Sequence, residues 1–457
     1  MTHLSLLINN KLDKPLTLYL RSCFKTTLMK YFLASICLAF IFTSCKKQNS
    51  KIVDEVYTDS LITHYTLPIQ VKNNETDMLF WKNRINPKDP RQVNESKYAG
   101  TLIARFHQFG DINDVKQAES ILRNVNKTYN NTLPGPFVAL TSSAMLQHHF
   151  IQADTLLNTA KKIGIDGFTS NTLSFDVDFE LGRYNDASFY LRKLRPAKDY
   201  SYFFRRSKFD HLNSNIDSAI SAMLKAAELE KTVPYLRGVA LSNAADLYIH
   251  AGDLQKAYQL YKECIRINSV DFHSILGIGW IALVHDKNDT LAEKIFKFVL
   301  AKNKLPDPLF KLYQMAQVRG DSVLERKFAN EFVARATDTV YGKMYNKYVI
   351  EIYTGILHQP AKAEELAKNE LNNRKSPQAY SWYVYTLFKN NKKDEAYKEF
   401  EQYVSGKPLE GLELYYMGKM MAGLDKGYNA QEFFKAAVKN KYDLSPDMAK
   451  DAEANLE

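Results

Sequence analysis

Residues 241–264 read LSNAADLYIHAGDLQKAYQLYKEC, and this stretch decides the fold class. Small side chains lie where two packed helices would approach closely, and large ones lie where they would fill the groove between them. The small residues are Ala244, Ala245 and Ala257, and the large ones are Tyr248 and Tyr261. Gly252 can end the first helix and Asp253 can cap the second. The stretch therefore predicts two helices joined by a short turn.

The small position of the second helix recurs along the chain. Its occurrences are Ala118, Ala153, Ala187, Ala219, Ala257, Ala292, Glu325, Ala363, Ala396 and Ala430. The mean spacing is about 35 residues, close to the period of a helix-pair repeat. Glu325 departs from the small-residue rule, and Ala367 stands where the other pairs have a large residue. We predict an all-α fold, an α-α superhelical solenoid of about ten helix pairs, over residues 97–442.

This pattern resembles the tetratricopeptide repeat (TPR). Two later segments carry the same signature, one at Tyr380, Leu387, Asn391, Ala396 and Phe400, the other at Leu414, Met417, Gly418, Met421, Ala430, Phe434 and Ala437. The resemblance implies that the first helix of each pair lines a concave groove that binds a partner. The groove positions it implies are Asp246, Trp280, Tyr348, Tyr385, Lys389, Tyr415 and Lys419. Aromatic rings with interspersed lysines suit an extended peptide or stacked sugar rings; the alternative is that several of them are core or inter-repeat contacts.

The N-terminal region has the features of a secretion signal. Lys30 precedes the apolar run YFLASICLAFIF at residues 31–42, which is shorter than the ~20 residues of a spanning helix and is typical of a signal peptide. The sequence Phe42-Thr43-Ser44-Cys45 then resembles a bacterial lipobox of the looser Bacteroidota type, since the strict pattern has Leu first and Gly or Ala third. We expect Cys45 to be acylated and Met29 to be the true start; the alternative is an ordinary signal peptide with an incidental Cys45.

These signals divide the chain into five segments. Residues 1–44 are the leader and signal peptide, 45–76 the acylated cysteine and a tether, 77–96 an N-terminal capping segment, 97–442 the solenoid and 443–457 a C-terminal capping helix. The residues after Cys45 begin Lys46-Lys47 and lack the acidic run that resembles a surface-export signal. We therefore expect a lipid anchor in the outer membrane that faces the periplasm.

Composition and motifs argue against catalysis and nucleic-acid binding. The net charge of +10 includes five basic residues and one acidic residue within 1–44, so the remainder carries only +6 over more than 400 residues. The four cysteines form no C-x-x-C pair. Phosphate-binding loops, nucleophile elbows and H-E-x-x-H zinc motifs are also missing from the sequence. We predict a protein that is not an enzyme and that needs neither a cofactor nor a metal.

One short motif, Asp followed by Ser or Thr and an aliphatic residue, recurs six times. It resembles the acceptor of periplasmic O-glycosylation in Bacteroidota, and the hydroxyl residues are Ser60, Thr155, Ser218, Thr290, Ser322 and Thr339. The alternative is that the aspartates cap helices, as Asp commonly does. Ser60 is the strongest candidate for modification because it lies in the predicted tether.

Two functions fit these features. The first is a membrane-anchored scaffold that binds a protein or peptide partner in the cell envelope, for assembly, secretion or the organisation of a complex. The second is an outer-membrane lipoprotein that captures a glycan or another nutrient. Lipoproteins of the second kind usually carry long insertions between their repeats, for which the nearly constant spacing leaves no room.

Overall fold

The structure, a computed structural model, describes residues 50–86, 88, 91–424 and 429–456. The signal segment, Met29 and the expected anchor Cys45 lie outside the described residues. Within them the chain forms α-helices and short 3-10 helices and has no β-strand. None of the described helices is long and apolar enough to cross a membrane.

The described part of the chain contains 23 α-helices. They are α1 Glu55–Thr63, α2 Ile69–Lys82, α3 Gln92–Phe109, α4 Ile112–Thr128, α5 Pro134–Leu146, α6 Phe150–Ile163, α7 Gly167–Glu180, α8 Tyr184–Leu194, α9 Tyr200–Leu212, α10 Ile216–Leu229, α11 Pro234–His250, α12 Leu254–Ile267, α13 Phe272–Val284, α14 Asp289–Lys302, α15 Asp307–Arg319, α16 Ser322–Ala336, α17 Asn346–Thr354, α18 Pro360–Leu371, α19 Pro377–Lys389, α20 Lys393–Tyr403, α21 Gly411–Gly423, α22 Ala430–Lys439 and α23 Pro446–Ala454. Short 3-10 helices occur at Arg195–Ala197, Thr339–Tyr341 and Lys441–Asp443.

Helices α3 to α22 form ten consecutive antiparallel pairs, which confirms the predicted all-α solenoid. The recurring alanine of the second helix is fully buried in eight of the ten pairs, at Ala118, Ala153, Ala187, Ala219, Ala257, Ala292, Ala363 and Ala396. A methyl side chain at this position lets the two helices of a pair approach closely. The repeat period of about 35 residues in the sequence therefore marks the position where the two helices of each pair contact each other.

The turn between α11 and α12 has the predicted chemistry. Gly252 adopts a φ of +78°, a left-handed conformation that glycine takes without a steric penalty. The carboxylate of Asp253 accepts the N–H of Lys256 at 3.1 Å and so caps α12. Glu325, the exception in the alanine series, is only half-buried, and the fully buried residues of α16 are Ala329 and Phe332 one and two turns later.

The described part of the segment expected to be a tether, residues 50–76, is largely helical. Helix α1 lies inside it, and α2 begins at Ile69, eight residues before the predicted start of the capping segment. The N–H groups of Ile52 and Val53 donate to the carboxylate of Asp286 at 2.9 and 2.8 Å. These contacts join residues more than 230 positions apart, so no local periodicity could show them. Asp54 then caps α1 by accepting the N–H of Val56 at 2.9 Å.

Successive turns of the superhelix touch each other. The Lys304 N–H donates to the Phe109 carbonyl at 2.8 Å, and the Lys343 N–H donates to the Gln147 carbonyl at 3.2 Å. The Tyr184 hydroxyl likewise donates to Gln378 at 3.0 Å. The partners in these three contacts are 194 to 196 residues apart. One superhelical turn therefore takes roughly five to six pairs at the usual repeat length, and the second turn packs on the first.

The C-terminal segment, residues 441–456, reaches well beyond the last pair. Helix α23 packs on α22, as a capping helix should, but it also contacts α15. The backbone carbonyl of Tyr442 accepts the Trp280 indole N–H at 3.0 Å. Asp443 lies 2.6 Å from Nδ1 of His250. The segment thus joins the last repeat to pairs in the middle of the chain.

Candidate functional site

All seven predicted groove residues lie on first helices of their pairs, as the repeat resemblance implies. Most of them nevertheless meet other parts of the chain. Trp280, Tyr385 and Tyr415 are buried, with 6 to 7% of their surface exposed, and Tyr348 is half-buried. Lys389 is the exposed member of the set.

The C-terminal segment occupies part of the predicted groove. The hydroxyl of Tyr415 donates to Asp451 at 2.8 Å, and Nζ of Lys419 lies 2.9 Å from the same carboxylate. The Trp280 indole N–H donates to the Tyr442 carbonyl. Lys311 lies over one face of the same indole, with its Nζ 3.8 Å from the ring centroid. A partner that used these residues would have to displace residues 441–456.

Two other groove residues, Tyr385 and Asp246, make contacts between neighbouring pairs. Tyr385 stacks on Tyr416 with ring centroids 3.9 Å apart and an interplanar angle of 5°. Asp246 accepts the Tyr261 hydroxyl at 2.5 Å and lies 2.9 Å from His273. The carboxylate of Asp246 outweighs the effect of burial and raises the pKa of His273 to about 9, so this histidine is charged at neutral pH.

The ion pair between His250 and Asp443 gives a testable prediction. Burial alone would lower the pKa of His250, but Asp443, Glu410 and Asp246 outweigh it and raise the pKa to about 9. The stabilisation is therefore complete below the ordinary histidine value of 6.5 and is lost as the pH rises through 9. We expect His250→Gln to cost about 1.5–3 kcal/mol at neutral pH.

The measurement is denaturant unfolding of the wild type and His250→Gln between pH 7 and pH 10. The difference in unfolding free energy should shrink towards zero at the upper end. A difference that does not change with pH would show that the charge on His250 does not hold the C-terminal segment.

A charged pocket of about 320 Å³ lies where first helices of both superhelical turns face each other. Its ion pairs are Lys208 with Glu180 at 3.2 Å, Arg374 with Glu180 at 3.5 Å and Lys347 with Glu413 at 3.3 Å. Burial alone would raise the pKa of Glu180, but Lys208 and Arg374 outweigh it and lower the pKa. The described acids and bases of this pocket largely neutralise each other.

The larger cavity lies between the two turns of the superhelix and is called the inter-turn cavity below. Its volume is about 650 Å³. One wall is helix α3, with Gly100, Ile103, Ala104 and His107, and Gln70 of α2 lies beside it. The opposite wall consists of helix ends and connections from α11 to α15, with Tyr235, Gly238, Ser242, Cys264, Ile267, Asp271, His273, Leu276 and Asp307 among its residues. The sequence did not indicate this cavity, because its two walls are more than 120 residues apart.

The candidate glycosylation motifs divide into two groups. Asp321 caps α16 and Asp338 caps a 3-10 helix, whereas the other four aspartates do not act as caps. Ser60 lies on α1 rather than in an extended tether, and its side chain is exposed, as are Thr155, Thr290, Ser322 and Thr339. Ser218 is half-buried and its hydroxyl donates to Asp210 at 2.6 Å. Modification of these hydroxyls stays a prediction.

The described residues contain no group of three or more His, Cys, Asp and Glu side chains placed to hold a metal ion. Cys264 is fully buried, and its thiol lies 3.6 Å from the Gly238 carbonyl. Burial raises the pKa of this thiol well above its usual value, which disfavours the reactive thiolate.

Comparison with known families bears on the pair formed by α11 and α12. Residues 239–271 match the model of the tetratricopeptide repeat. The chain contains a tetratricopeptide repeat. The matched residues include the close-packed alanines and the turn that predicted this repeat from the sequence. Tetratricopeptide-repeat folds are typical of protein-interaction scaffolds, and the ten pairs described above extend that architecture along the chain.

Several solved structures with tetratricopeptide-like helix pairs are similar to the chain. A Pseudomonas aeruginosa pilF structure shares 12% identity, covers 47% of this chain and 97% of its own, and has a TM-score of 0.35. A tetratricopeptide repeat protein from Parabacteroides merdae shares 13% identity, with coverages of 56% and 98% and a TM-score of 0.32. A human IFIT1 dimer with PPP-AAAA shares 13% identity, with coverages of 72% and 76% and a TM-score of 0.46. At these values no partner or activity carries over. No curated protein sequence matches the chain significantly.

Proposed function

We propose that the chain is a lipid-anchored scaffold that binds a protein partner in the cell envelope. The lipobox-like sequence at Cys45 supports an anchor, and the expected place is the periplasmic face of the outer membrane. The tetratricopeptide repeat supports a role in protein binding. We expect this partner to present an apolar surface that is accessible close to the membrane.

The observation that carries the proposal is a concentration of exposed apolar side chains near the N-terminus. Among the residues that the structure describes, fourteen large hydrophobic side chains are exposed, and six of them fall within residues 56–93. The six are Val56, Leu67, Ile69, Leu79, Phe80 and Val93. Contiguous exposed apolar patches are typical of interaction sites, whereas scattered residues are not, and we propose that these six residues contribute to one such surface. We call this set the N-terminal apolar surface.

The position of this surface along the chain suits a membrane-bound partner. Ile52 is already fixed to Asp286, and it lies only seven positions after Cys45. Seven fully extended residues span at most about 25 Å. An acylated Cys45 would therefore hold the N-terminal apolar surface close to the bilayer.

The test is affinity purification of the tagged full-length protein from crosslinked native membranes. We expect the wild type to enrich one defined set of envelope proteins and Leu79→Glu to reduce that enrichment at least tenfold. Val323→Glu is the matched control, because Val323 is exposed to 78% but lies on α16. Cys45→Ala should move the protein out of the membrane fraction and weaken the enrichment. Equal recovery with Leu79→Glu and Val323→Glu would contradict the proposed surface.

The glycan-capture alternative receives less support. From α3 onward, the connections between helices contain no more than nine residues. Short connections leave no room for the insertions expected of such lipoproteins. Saturable sugar binding by the purified protein, without a protein partner in the membrane experiment, would favour this alternative.

A further inference from the structure

Two glycines on opposite walls of the inter-turn cavity have no structural reason to be glycine. Gly100 lies in the middle of α3 and Gly238 within α11, and neither has a positive φ. A Cβ added at Gly100 would have no heavy atom within 4 Å, and one at Gly238 would meet only the Ile267 side chain at 3.9 Å. Glycine inside a helix is destabilising relative to alanine. Both positions thus leave room at the wall of the cavity, Gly100 on an exposed face of α3 and Gly238 half-buried, at a cost to the helices.

Glycines elsewhere in the same helix layer do have a packing reason. At Gly277 and Gly279 of α13, an added Cβ would lie 2.4 Å from Tyr261 and 2.5 Å from Phe296. Those two glycines are required by the close packing of the pairs. Gly100 and Gly238 meet no such packing constraint, so the space beside them is free for an occupant of the cavity.

The cavity also has an imbalance of charge. Asp271 and Asp307 are among its lining residues, whereas no Lys or Arg is. Asp271 accepts the N–H and hydroxyl of Ser274 at 3.0 and 2.9 Å, and Asp307 accepts the Tyr345 hydroxyl at 2.6 Å. The one charged histidine of the lining, His273, is already paired with Asp246.

The surroundings of Asp271 have room for a cation. A carboxylate has about four acceptor sites, and Asp271 uses two of them for Ser274. Burial raises the pKa of Asp271 and outweighs the neighbouring His273, which lowers it. Because His273 is paired with Asp246, a bound ammonium group would add a positive charge beside Asp271 and could donate to its free acceptor sites.

We propose that the inter-turn cavity binds a small amphiphilic amine, with its ammonium group at Asp271 and its hydrocarbon part between Gly100 and Gly238. The volume of about 650 Å³ lies within the range of roughly 300–1,000 Å³ for small-molecule sites. Ile103, Leu276 and Ile267 provide apolar contacts for the hydrocarbon part. This inference does not depend on the membrane anchor or on the protein partner.

The test compares probes of equal chain length on the full chain carrying Cys45→Ala, which removes the acylation site and the need for detergent. Calorimetric titration with n-decylammonium should show one saturable site, and decanoate should bind at least tenfold more weakly. Asp271→Asn should weaken decylammonium binding at least tenfold while it preserves folding, since Asn caps helices as well as Asp does. The matched control is Asp321→Asn, which changes an N-cap of α16 that is not among the residues lining the cavity.

A second variant tests the same proposal without changing any charged side chain. Gly100→Leu should abolish decylammonium binding and raise the Tm of the free protein, because leucine fills open space and favours the helix. Equal affinity for decylammonium and decanoate, or unchanged affinity in Asp271→Asn, would overturn the proposal. The proposal would also be overturned if the protein bound a lysine-containing apolar hexapeptide but did not bind decylammonium. The cavity would then accept a protein segment rather than a small amine.

Discussion

Asn373→Leu is expected to lower the free energy of unfolding by about 3–5 kcal/mol, because it removes two buried hydrogen bonds that help to hold the second superhelical turn on the first. Asn373 is 3% exposed. Its Oδ1 accepts the Phe150 N–H at 3.0 Å and its Nδ2 donates to the His148 carbonyl at 2.7 Å. Leucine would leave both backbone groups buried without a partner, at about 1–3 kcal/mol each, and would lose the 3.2 Å contact with Glu370 as well.

The neighbouring residue provides the control. Asn372 is exposed and does not make this contact, so Asn372→Leu should change the unfolding free energy by no more than about 0.5 kcal/mol. The measurement is urea unfolding followed by circular dichroism. A similar loss in both variants would mean that the contact between the turns does not contribute to stability.

Lys347→Met should have an effect of similar size in the charged pocket. Glu413 is fully buried, and it accepts the Trp382 indole N–H at 2.8 Å and pairs with Lys347 at 3.3 Å. Glu413 and Glu410 outweigh burial and hold the pKa of Lys347 well above its usual value, so this lysine remains charged. Removal of one partner of a buried pair typically costs about 3–5 kcal/mol.

The double variant Lys347→Met with Glu413→Gln should recover most of that loss. Glutamine keeps an oxygen for the Trp382 N–H but carries no charge that needs a partner. Unfolding free energies of the two single variants and the double variant give the coupling directly. If the double variant were no more stable than Lys347→Met, lost packing rather than an uncompensated charge would explain the effect.

The sequence predicted the pairs because each pair is a local structure. The spacing of Ala118, Ala153 and their equivalents reports contacts between helices adjacent in the chain, and these follow from residue size and the helical period. The turn at Gly252 and Asp253 was equally predictable, because its conformation depends on only a few residues. The pairing of helices extends through all ten pairs, and the fully buried alanine recurs in eight of them.

The contacts that could not be predicted from the sequence depend on the rotation of each helix pair relative to the next. These rotations add up along the chain. A small change in the angle between pairs decides whether Phe109 meets Lys304 or solvent. The docking of Ile52 on Asp286, the course of residues 441–456 and the inter-turn cavity all follow from that angle. The predicted groove positions therefore lie on first helices of their pairs, while the coverage of Trp280 and Tyr415 by the C-terminal segment could not be foreseen.

Residues that meet between the two superhelical turns are synthesised at different times, because they are about 195 positions apart in the chain. When the chain is synthesised at roughly 5–20 residues per second, residue 304 follows residue 109 by about 10–40 s. Each early pair can form its own helices at once, but the surface that will receive the second turn stays uncovered during that interval. Phe109, Gln147 and Tyr184 thus mark the region of the nascent chain where protection by a chaperone would matter most.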